Sequence, residues 1–353
     1  MTAPIYIDHT HCGRHVTGLE RITLELFSQE ALAPLDVTIV RSTGVRDMVM
    51  RQTLDLPMRL ARRAGSILIC PGFPPSPLAS LFGARVLPYI HDTFLITRPG
   101  DLNTRARLYM APSFRFALKR LPRFLVNSES TRDEVRRFCR ADAEILLYRP
   151  GVRNVFGLSS NGREAERKAG APLRLAALGT VEPRKNLMAA ADILAALREQ
   201  GFADATLDIV GREGWGDDAA RLKAAPGVTM HGYQSMERVR EIAGDADFLI
   251  STSHDEGLGL PLLESQYAGL PVIAPDQPVF REVLGVSGVF IDPSNAREAA
   301  AKIAALVGSA DWRARYVAAA QENLERWLGL ADGDAQNVRG AIAALANGER
   351  VKC

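Results

Sequence analysis

The sequence predicts an α/β protein with two domains, each built on a doubly wound parallel sheet. Two observations carry this prediction: short apolar runs alternate with helical patterns through most of the chain, and a polar stretch interrupts the alternation near the middle. The length of 353 residues suits two domains of roughly 100–200 residues each. Hydrophobic residues make up 47% of the chain and the net charge is +2, which excludes a wholly disordered chain and a histone-like polycation.

The first half opens with an apolar run, a glycine and a helical pattern, which is how a Rossmann-like half begins. Apolar runs predict strands at 5–7, 37–40, 66–70, 85–91, 124–127 and 145–147. Helical patterns lie at 19–30, 108–120 and 128–140. The proline-rich residues 71–80 are predicted to form a loop.

The second half repeats the alternation after a polar, glycine-containing stretch. Strands are predicted at 174–178, 206–210, 228–231, 248–252 and 272–274, and helices at 187–200, 217–224, 236–242, 260–268 and most of the chain after 296. We therefore place the domains at 1–156 and 173–330, with a linker at 157–172 and a C-terminal helix at 331–353 that can pack back on the first domain. Ligands of such sheets bind at the carboxyl ends of strands, so the loops there are the candidate sites.

An acidic string after one of these strands is the strongest functional signal. Glu256 and Glu264 are separated by Gly257, Gly259 and Pro261, which indicate a flexible turn and the first turn of a helix. Backbone N–H groups at such a turn can face a ligand, and carboxylates can accept hydrogen bonds from a ribose or sugar diol. The plainer interpretation is that Glu256 caps the helix and Glu264 lies on its surface.

A basic segment between a strand and a helix is the second signal. It begins with Gly179 and Thr180 and includes Arg184 and Lys185 directly before the helix. Two cations at a helix N-terminus, together with its backbone N–H groups, suit a diphosphate. Taken alone, the segment also fits a helix start with exposed basic residues.

These motifs resemble those of glycosyltransferase family 4, a large retaining family with the GT-B fold, in the style of bacterial polysaccharide and O-antigen mannosyltransferases. The similarity extends over roughly residues 5–295 and is strongest in 173–293. It implies two Rossmann-like domains facing across a cleft. It also implies that a hexose moves from a nucleotide diphosphate sugar to a saccharide acceptor with retention of configuration.

The resemblance also implies a role for each matching residue. Those assigned to catalysis are His91, Glu256 and Lys185; those assigned to donor binding are Gly18, Gly179, Thr180, Arg184, Lys185, Gly257, Leu258, Gly259 and Glu264. Glu264 is expected to hold the ribose, Glu256 the sugar and Lys185 the pyrophosphate. Many relatives have Arg at the position of Thr180, so either Arg184 or the backbone takes over that contact.

The histidines of the first half allow more than one interpretation. His91 with Asp92 can be a structural histidine held under a loop or, in an inverting enzyme, a general base; the resemblance favours contact with the transferred sugar. His9, His11 and Asp92 are candidates for the acceptor side. The cluster at 8–15 also contains metal-ligand residue types, but its spacing fits no standard zinc site, and no metal or cofactor is expected.

The expected partners are a nucleotide diphosphate sugar and a saccharide acceptor, with a lipid-linked acceptor left open and no nucleic acid. The motif style favours GDP-mannose over UDP-glucose and dTDP-rhamnose. Residues 105–126 form a basic amphipathic pattern that fits either an anionic membrane surface or a core-packed helix with a solvated basic side. No signal peptide or spanning segment is evident, so we expect a cytoplasmic protein with peripheral contact at the inner membrane as an option.

Two alternatives to the transferase remain. One is a nucleotide-sugar 2-epimerase or hydrolase of the same fold, which would turn over donor without an acceptor. The other is a non-catalytic nucleotide-sugar-binding scaffold. A nicotinamide enzyme is not expected, because the glycine-rich stretches at 211–216 and 257–259 do not match the dinucleotide fingerprint after a first strand.

Overall fold

The computed structural model describes residues 3–13, 18–102, 104, 106–162 and 171–348. The chain divides into two compact units, Met1–Gly151 with Gly329–Cys353, and Val152–Leu328. Each unit contains a parallel sheet with helices, which confirms the predicted fold class. Among the described residues, no helix is both long and apolar enough to cross a bilayer.

The described part of the first unit forms a sheet of six parallel strands in the order β2-β1-β3-β4-β5-β6. The strands are β1 (Ile5–Asp8), β2 (Val37–Val40), β3 (Ile67–Cys70), β4 (Val86–Ile90), β5 (Arg123–Val126) and β6 (Glu144–Leu147). Ile5 of β1 is paired with Val37 on one side and Ile67 on the other. The side chains of β1, β3 and β4 are buried throughout, as expected for strands covered on both faces of a parallel sheet.

The helices of the first unit include several that the sequence analysis did not predict. They are α1 (Gly18–Leu26), α2 (Val45–Met50), α3 (Leu56–Arg62), α4 (Pro77–Ser80), α5 (Phe94–Thr97), α6 (Ala111–Arg120) and α7 (Glu129–Phe138). The prediction that 71–80 is entirely loop is wrong, because α4 begins at Pro77 and the Ser76 side chain accepts a hydrogen bond from Ala79 N at 3.3 Å. Proline is compatible with the first helical position, where its missing N–H costs nothing.

The second unit contains the second six-stranded parallel sheet, in the order β12-β11-β10-β7-β8-β9. The strands are β7 (Arg174–Leu178), β8 (Thr206–Val210), β9 (Val228–Gly232), β10 (Phe248–Ile250), β11 (Val272–Pro275) and β12 (Gly288–Ile291). β7 lies between β8 and β10, so the strand order reverses beside it. This is the doubly wound arrangement in which ligands bind at the switch point.

Helices follow the strands of the second unit and hold the carboxyl ends in place. They are α8 (Leu187–Glu199), α9 (Asp218–Ala224), α10 (Met236–Asp245), α11 (Leu260–Ser265), α12 (Pro278–Leu284) and α13 (Ala296–Val307). Leu175, Leu207 and Ile250 of three strands pack with Ile193 and Leu194 of α8, and all five are at most 2% exposed. Burying a large aliphatic side chain contributes about 1.5–3 kcal/mol, so this core fixes the strand ends firmly.

The last helix, α14 (Trp312–Ala346), belongs to both units. Its residues from Gly329 onward group with the first unit. Within that unit, Asp334 binds the Arg149 guanidinium at 2.8 Å, and the carbonyl of Ala346 accepts from Ala3 N at 3.2 Å. The division after Gly151 lies five residues before the boundary predicted at 156.

Candidate functional site

Two loops of the second unit meet at the switch point of its sheet. One follows β7 and contains Arg184 and Lys185, and the other follows β10 and contains Glu256. Because ligands bind outside the carboxyl ends of the strands where the order reverses, this is where the fold places a site. A small cavity there is lined by both loops, including Gly179, Lys185, Ser253, Glu256 and Gly259.

Glycines let the loop after β7 lie directly against the loop after β8. Val181 N donates to Arg212 O at 2.8 Å, and Gly214 N donates to Val181 O at 3.0 Å. A β-carbon on Gly211 would lie 1.8 Å from the carbonyl oxygen of Gly179, so a larger residue does not fit. Gly179 itself has a φ of 143°, a conformation that favours glycine.

The basic pair lies in a single turn of 3₁₀ helix, Pro183–Lys185, directly before α8. Asn186, with a φ of 48°, connects this turn to the helix. Its carbonyl accepts a hydrogen bond from Thr252 Oγ1 at 2.8 Å, which joins the loops after β7 and β10. The first backbone N–H groups of a helix have no hydrogen-bond partner within that helix. Arg184 and Lys185 lie directly before the N–H groups of α8, so the predicted combination of two cations and a helix start is present.

Glu256 is at the centre of a four-membered charge cluster. Its carboxylate accepts from Arg184 Nη1 at 3.1 Å and from Ser253 Oγ at 2.8 Å, and it forms an ion pair with Lys185. Arg184 also binds Glu182 at 2.5 Å. All four charged side chains are at most 20% exposed, so two cations and two carboxylates compensate each other in a largely buried place.

The cluster keeps Glu256 ionised. Burial raises the pKa of this carboxyl, but the charges of Lys185 and Arg184 and the hydrogen bonds from Lys185 and Ser253 outweigh it, so the pKa lies below its ordinary value of 4.5. Burial lowers the pKa of Arg184, but Glu256 and Glu182 more than compensate. At neutral pH Glu256 can therefore accept hydrogen bonds but has no proton to donate.

Residues 257–259 lead from Glu256 into α11. Gly259 has a φ of 81° and directly precedes the helix, and Pro261 occupies its first turn as the sequence indicated. The Leu258 side chain is 4% exposed, so this residue can meet a ligand only through its backbone. Gly257 and Gly259 leave the backbone of this turn accessible to a ligand because neither carries a side chain.

Neither Glu264 nor Thr180 belongs to the lining of this cavity. The interpretation of Glu264 as a surface residue is wrong, since it is only 1% exposed in α11. Direct contact with a ribose therefore requires that some of the residues that bury this carboxylate move.

Two members of the site were not singled out by the sequence analysis. Glu182 holds Arg184, and Ser253 donates to Glu256. Glu182 stands inside the basic segment and Ser253 three residues before Glu256, so both lie in motifs already recognised. Sequence distance does not tell which neighbours in a loop turn toward each other, and this is why they were missed.

His91 follows β4 in the first unit and is held as a neutral side chain. Its Nε2 lies 2.7 Å from the carbonyl oxygen of Pro71, and the Tyr89 ring meets it edge-on at 4.7 Å. A carbonyl only accepts hydrogen bonds, so Nε2 carries the proton and Nδ1 is the acceptor. Burial lowers the pKa of His91 to about 4, partly opposed by the bond to Pro71.

The two described histidines after β1 have separate structural partners. His9 is 1% exposed, with Nε2 3.1 Å from the carbonyl of Phe27, and burial lowers its pKa to about 4. His11 is 8% exposed and its Nε2 lies 3.0 Å from Thr23 Oγ1. Their burial leaves little side-chain surface for an acceptor, and contact with an acceptor stays a prediction for both. Residues 14 and 15 of the predicted cluster lie outside the described residues.

Gly18 and Asp92 lie at helix starts in the first unit. Gly18 is the first residue of α1 and is exposed, and a β-carbon added there would meet no atom within 4 Å. Asp92 Oδ1 accepts from Phe94 N at 3.0 Å at the start of α5. The predicted roles of Gly18 in donor binding and Asp92 on the acceptor side stay predictions.

Comparison with known proteins relates the second unit to one family. Residues 160–323 match the family described as Glycosyl transferases group 1. The chain is 38% identical over 114 residues to the serotype-specific mannosyltransferase WbdA of Escherichia coli, covering 30% of this chain and 14% of that protein. It is 29% identical over 141 residues to the O-antigen chain mannosyltransferase B of Escherichia coli, covering 38% and 37%. The chain thus spans well under two thirds of these relatives.

The fold is shared with solved structures over nearly the whole chain. The crystal structure of HepE from Anabaena in complex with UDP and glucose is similar with a TM-score of 0.68 and 15% identity. The similarity covers 97% of this chain and 100% of that one. It confirms the predicted GT-B fold of two α/β units.

Proposed function

We propose, on the premise that residues 160–323 form a Glycosyl transferases group 1 domain, that this protein transfers a hexose from a nucleotide diphosphate sugar to a saccharide acceptor. The observation that carries the proposal is the charge cluster of Arg184, Lys185 and Glu256 at the switch point. This place in the fold, its cations and the helix start all suit a diphosphate.

Binding of the diphosphate requires an exchange of partners. Lys185 is paired with Glu256, while Arg184 has Glu182 as a second carboxylate. Lys185 is therefore the cation that turns to the phosphates, and Arg184 stays anchored. Glu256, released from Lys185 but still ionised, then accepts hydrogen bonds from hydroxyls of the transferred sugar, together with backbone N–H groups at 257–259. Gly179 lets the chain approach the diphosphate closely.

We propose retention of configuration, as in glycosyltransferase family 4. The acceptor hydroxyl attacks the face that the diphosphate leaves, a C–O bond to the acceptor forms as the C–O bond to the phosphate breaks, and a donor phosphate oxygen takes the proton. His91 with a pKa of about 4 is a weak base at neutral pH, which supports contact with the sugar over general-base catalysis. The protein then contributes orientation and charge stabilisation.

GDP-mannose is the donor that we favour. The support is the similarity of this chain to two mannosyltransferases, over 30% and 38% of its length. UDP-glucose and dTDP-rhamnose are the next candidates. We propose that Glu264 binds the donor ribose after the residues that bury it have moved. Gly18 is proposed to lie close to the donor diphosphate. No cofactor besides the substrate is proposed.

The acceptor is proposed to be a saccharide, and peripheral contact with an anionic membrane surface is proposed for 105–126. In the described part of this segment, Arg107 and Arg115 are exposed beside Leu108, which is 73% exposed, and Phe116, which is 38% exposed. Exposed apolar side chains among cations are typical of helices that lie on anionic lipid. With this contact we also propose a cytoplasmic location at the inner membrane surface.

The experiment offers GDP-mannose, UDP-glucose and dTDP-rhamnose to the purified protein, with and without a panel of saccharides, and measures release of the nucleoside diphosphate and the anomeric configuration of the product. We expect release that depends on one donor and on an added saccharide, with retained configuration. Equal release without any saccharide would indicate the hydrolase or epimerase instead. No release by a protein that binds the donor would indicate a scaffold.

A further inference from the structure

An exposed apolar stripe runs along one helical segment of the first unit. α2 and α3 are joined by a single π-helical turn, Arg51–Asp55, so the backbone is helical from 45 to 62 and about 27 Å long. The buried side chains recur at every fourth position and are Met48, Gln52, Leu56 and Leu60. The stripe is offset from them by two positions and consists of Met50, Leu54 and Met58, which are 46–54% exposed. Large apolar side chains in water at helical spacing are typical of a face that packs against another helix.

A ladder of alternating charges borders this stripe. Its members stand at every fourth position and are Asp47, Arg51, Asp55 and Arg59. Arg51 Nε lies 3.0 Å from Asp47 Oδ1, and Arg51 Nη1 lies 3.7 Å from Asp55 Oδ2. Arg59 Nε lies 3.1 Å from the same oxygen of Asp55. Residues three apart are neighbours on a helix surface, so each of the first three members of the ladder lies beside a member of the stripe.

Stripe and ladder together fit a second copy of the same segment that runs antiparallel to the first. About a two-fold axis, the flank that carries the ladder in one copy meets the same flank of the other. The stripe, 50–58, is centred on 54 and the ladder, 47–59, on 53, so one axis beside Leu54 serves both. Met50 of each copy then meets Met58 of the other.

The charges of the ladder select one register of this pair. Around the axis, Asp47 of each copy faces Arg59 of the other, and Arg51 faces Asp55, so every facing pair has opposite charges. A slip by one helical turn would place Asp47 opposite Asp55 and Arg51 opposite Arg51. Charges at the edge of a helix pair set its orientation and partner in this way, while the apolar contact supplies most of the stability.

An anionic lipid surface fits this face less well. Asp47 and Asp55 stand beside the stripe, and anionic headgroups would repel both carboxylates. The segment 105–126, for which membrane contact is proposed, contains no acidic residue. The alternating ladder therefore complements another copy of itself better than it complements a surface of one charge.

We propose that two copies of this chain associate through the stripe and ladder, antiparallel about an axis beside Leu54. α4 packs against the same helical segment, and its Leu78 and Leu81 are also about half exposed, so they add apolar surface. The contact rests mainly on one pair of helices, and small interfaces belong to weak complexes, so we expect a dissociation constant in the micromolar range. This association does not depend on the proposed function.

The test is sedimentation velocity of the full chain in reducing buffer, at protein concentrations from about 1 to about 200 µM. We expect the wild type to show a monomer–dimer equilibrium. Leu54→Glu brings two like charges together at the axis and should weaken dimerisation at least about tenfold. Val286→Glu is the matched control, because Val286 is also an exposed aliphatic residue but lies in the second unit, and it should leave the equilibrium unchanged.

A pair of charge reversals tests the register. Arg51→Asp makes positions 51 and 55 both negative, and Asp55→Arg makes them both positive, so each variant alone should dimerise at least about tenfold more weakly. In an equal mixture of the two variants, position 51 of each faces the opposite charge at position 55 of the other. We expect the mixture to regain the affinity of the wild type to within about threefold.

Several results would overturn the proposal. They are a wild type that stays monomeric throughout the range, a dimer that Leu54→Glu leaves intact, and a mixture that associates no better than its two components. Flotation with phosphatidylglycerol vesicles, lost in Leu54→Glu, by a wild type that stays monomeric would assign the face to lipid instead. Thermal midpoints check folding, and if one variant is unfolded the others decide. Binding of nucleoside diphosphates is measured separately, so a failure of the proposed function is seen there and not in the sedimentation.

Discussion

Replacing Glu256 with Gln should strengthen the binding of a nucleoside diphosphate while it weakens sugar transfer. Lys185 is paired with Glu256, and the negative charge of this carboxylate opposes the approach of a diphosphate. Gln keeps the shape and the bond from Ser253 but removes the negative charge. The two consequences have opposite signs, so simple damage to the site would not produce them.

The size of the gain follows from the charges. Two unit charges roughly 6 Å apart interact by about 3 kcal/mol at an effective dielectric constant of 20. The side chains of Lys185 and Glu256 are 20% and 10% exposed, so solvent screens part of this. If screening halves the interaction energy, about 1.4 kcal/mol remains, which corresponds to about tenfold tighter binding of the diphosphate.

The assay is calorimetric titration of GDP, or of whichever nucleoside diphosphate the wild type binds best, into the two proteins. Glu182→Gln is the matched control, because Glu182 pairs with Arg184 and is not the carboxylate that holds Lys185. We expect its affinity to change by about twofold or less. Unchanged or weaker binding by a folded Glu256→Gln protein would refute the partner exchange.

Three further predictions concern other parts of the structure. Glu264→Ala should weaken donor binding about tenfold to a hundredfold, since a hydrogen bond to a charged group contributes about 1.5–3 kcal/mol; unchanged affinity in titration would remove the ribose role. Gly211→Ala should lower the free energy of unfolding by about 2 kcal/mol or more, because the new β-carbon would lie 1.8 Å from the carbonyl oxygen of Gly179; denaturant titration measures this. Gly18→Ala is the control, since its new β-carbon would meet no atom within 4 Å, and it should leave the free energy of unfolding nearly unchanged. His91 has its pKa lowered from 6.5 to about 4, so the unfolded chain binds more protons between these values and stability falls as the pH falls through them. His91→Gln should flatten the pH dependence of unfolding in that window, by at most about 3 kcal/mol, and an identical slope would contradict the burial of a neutral ring.

The alternation of apolar runs and helical patterns was sufficient to predict both sheets. Strands such as Val37–Val40 and Thr206–Val210 lie where the runs predicted them. The strand Gly288–Ile291 was missed, because its four residues begin with glycine and give too short a run. The helix Leu56–Arg62 was missed because Pro57 interrupts its pattern, although proline at the start of a helix is compatible with it. The six-residue helix Val45–Met50 was missed as well.

The motifs of the site were evident in the sequence, but its geometry was not. Lys185 and Glu256 are 71 residues apart, and their contact depends on β7 and β10 being neighbours, which the order of strands along the chain does not specify. The burial of Glu264 depends on what packs over a six-residue helix. Leu258 was assigned to donor binding by its place in the motif, yet its side chain faces the core.

The central claim is that the switch point of the second unit binds the diphosphate of a nucleotide sugar through Lys185. Thermal unfolding of the wild type and Lys185→Ala in GDP, UDP, dTDP, CDP and NAD, without added metal, tests it most directly. A ligand at about 100 times its Kd stabilises the folded state by about 2.7 kcal/mol. We predict a clear rise of the midpoint with one nucleoside diphosphate and its loss in Lys185→Ala. A rise with NAD alone, with none of them, or one kept in full by Lys185→Ala would contradict the claim.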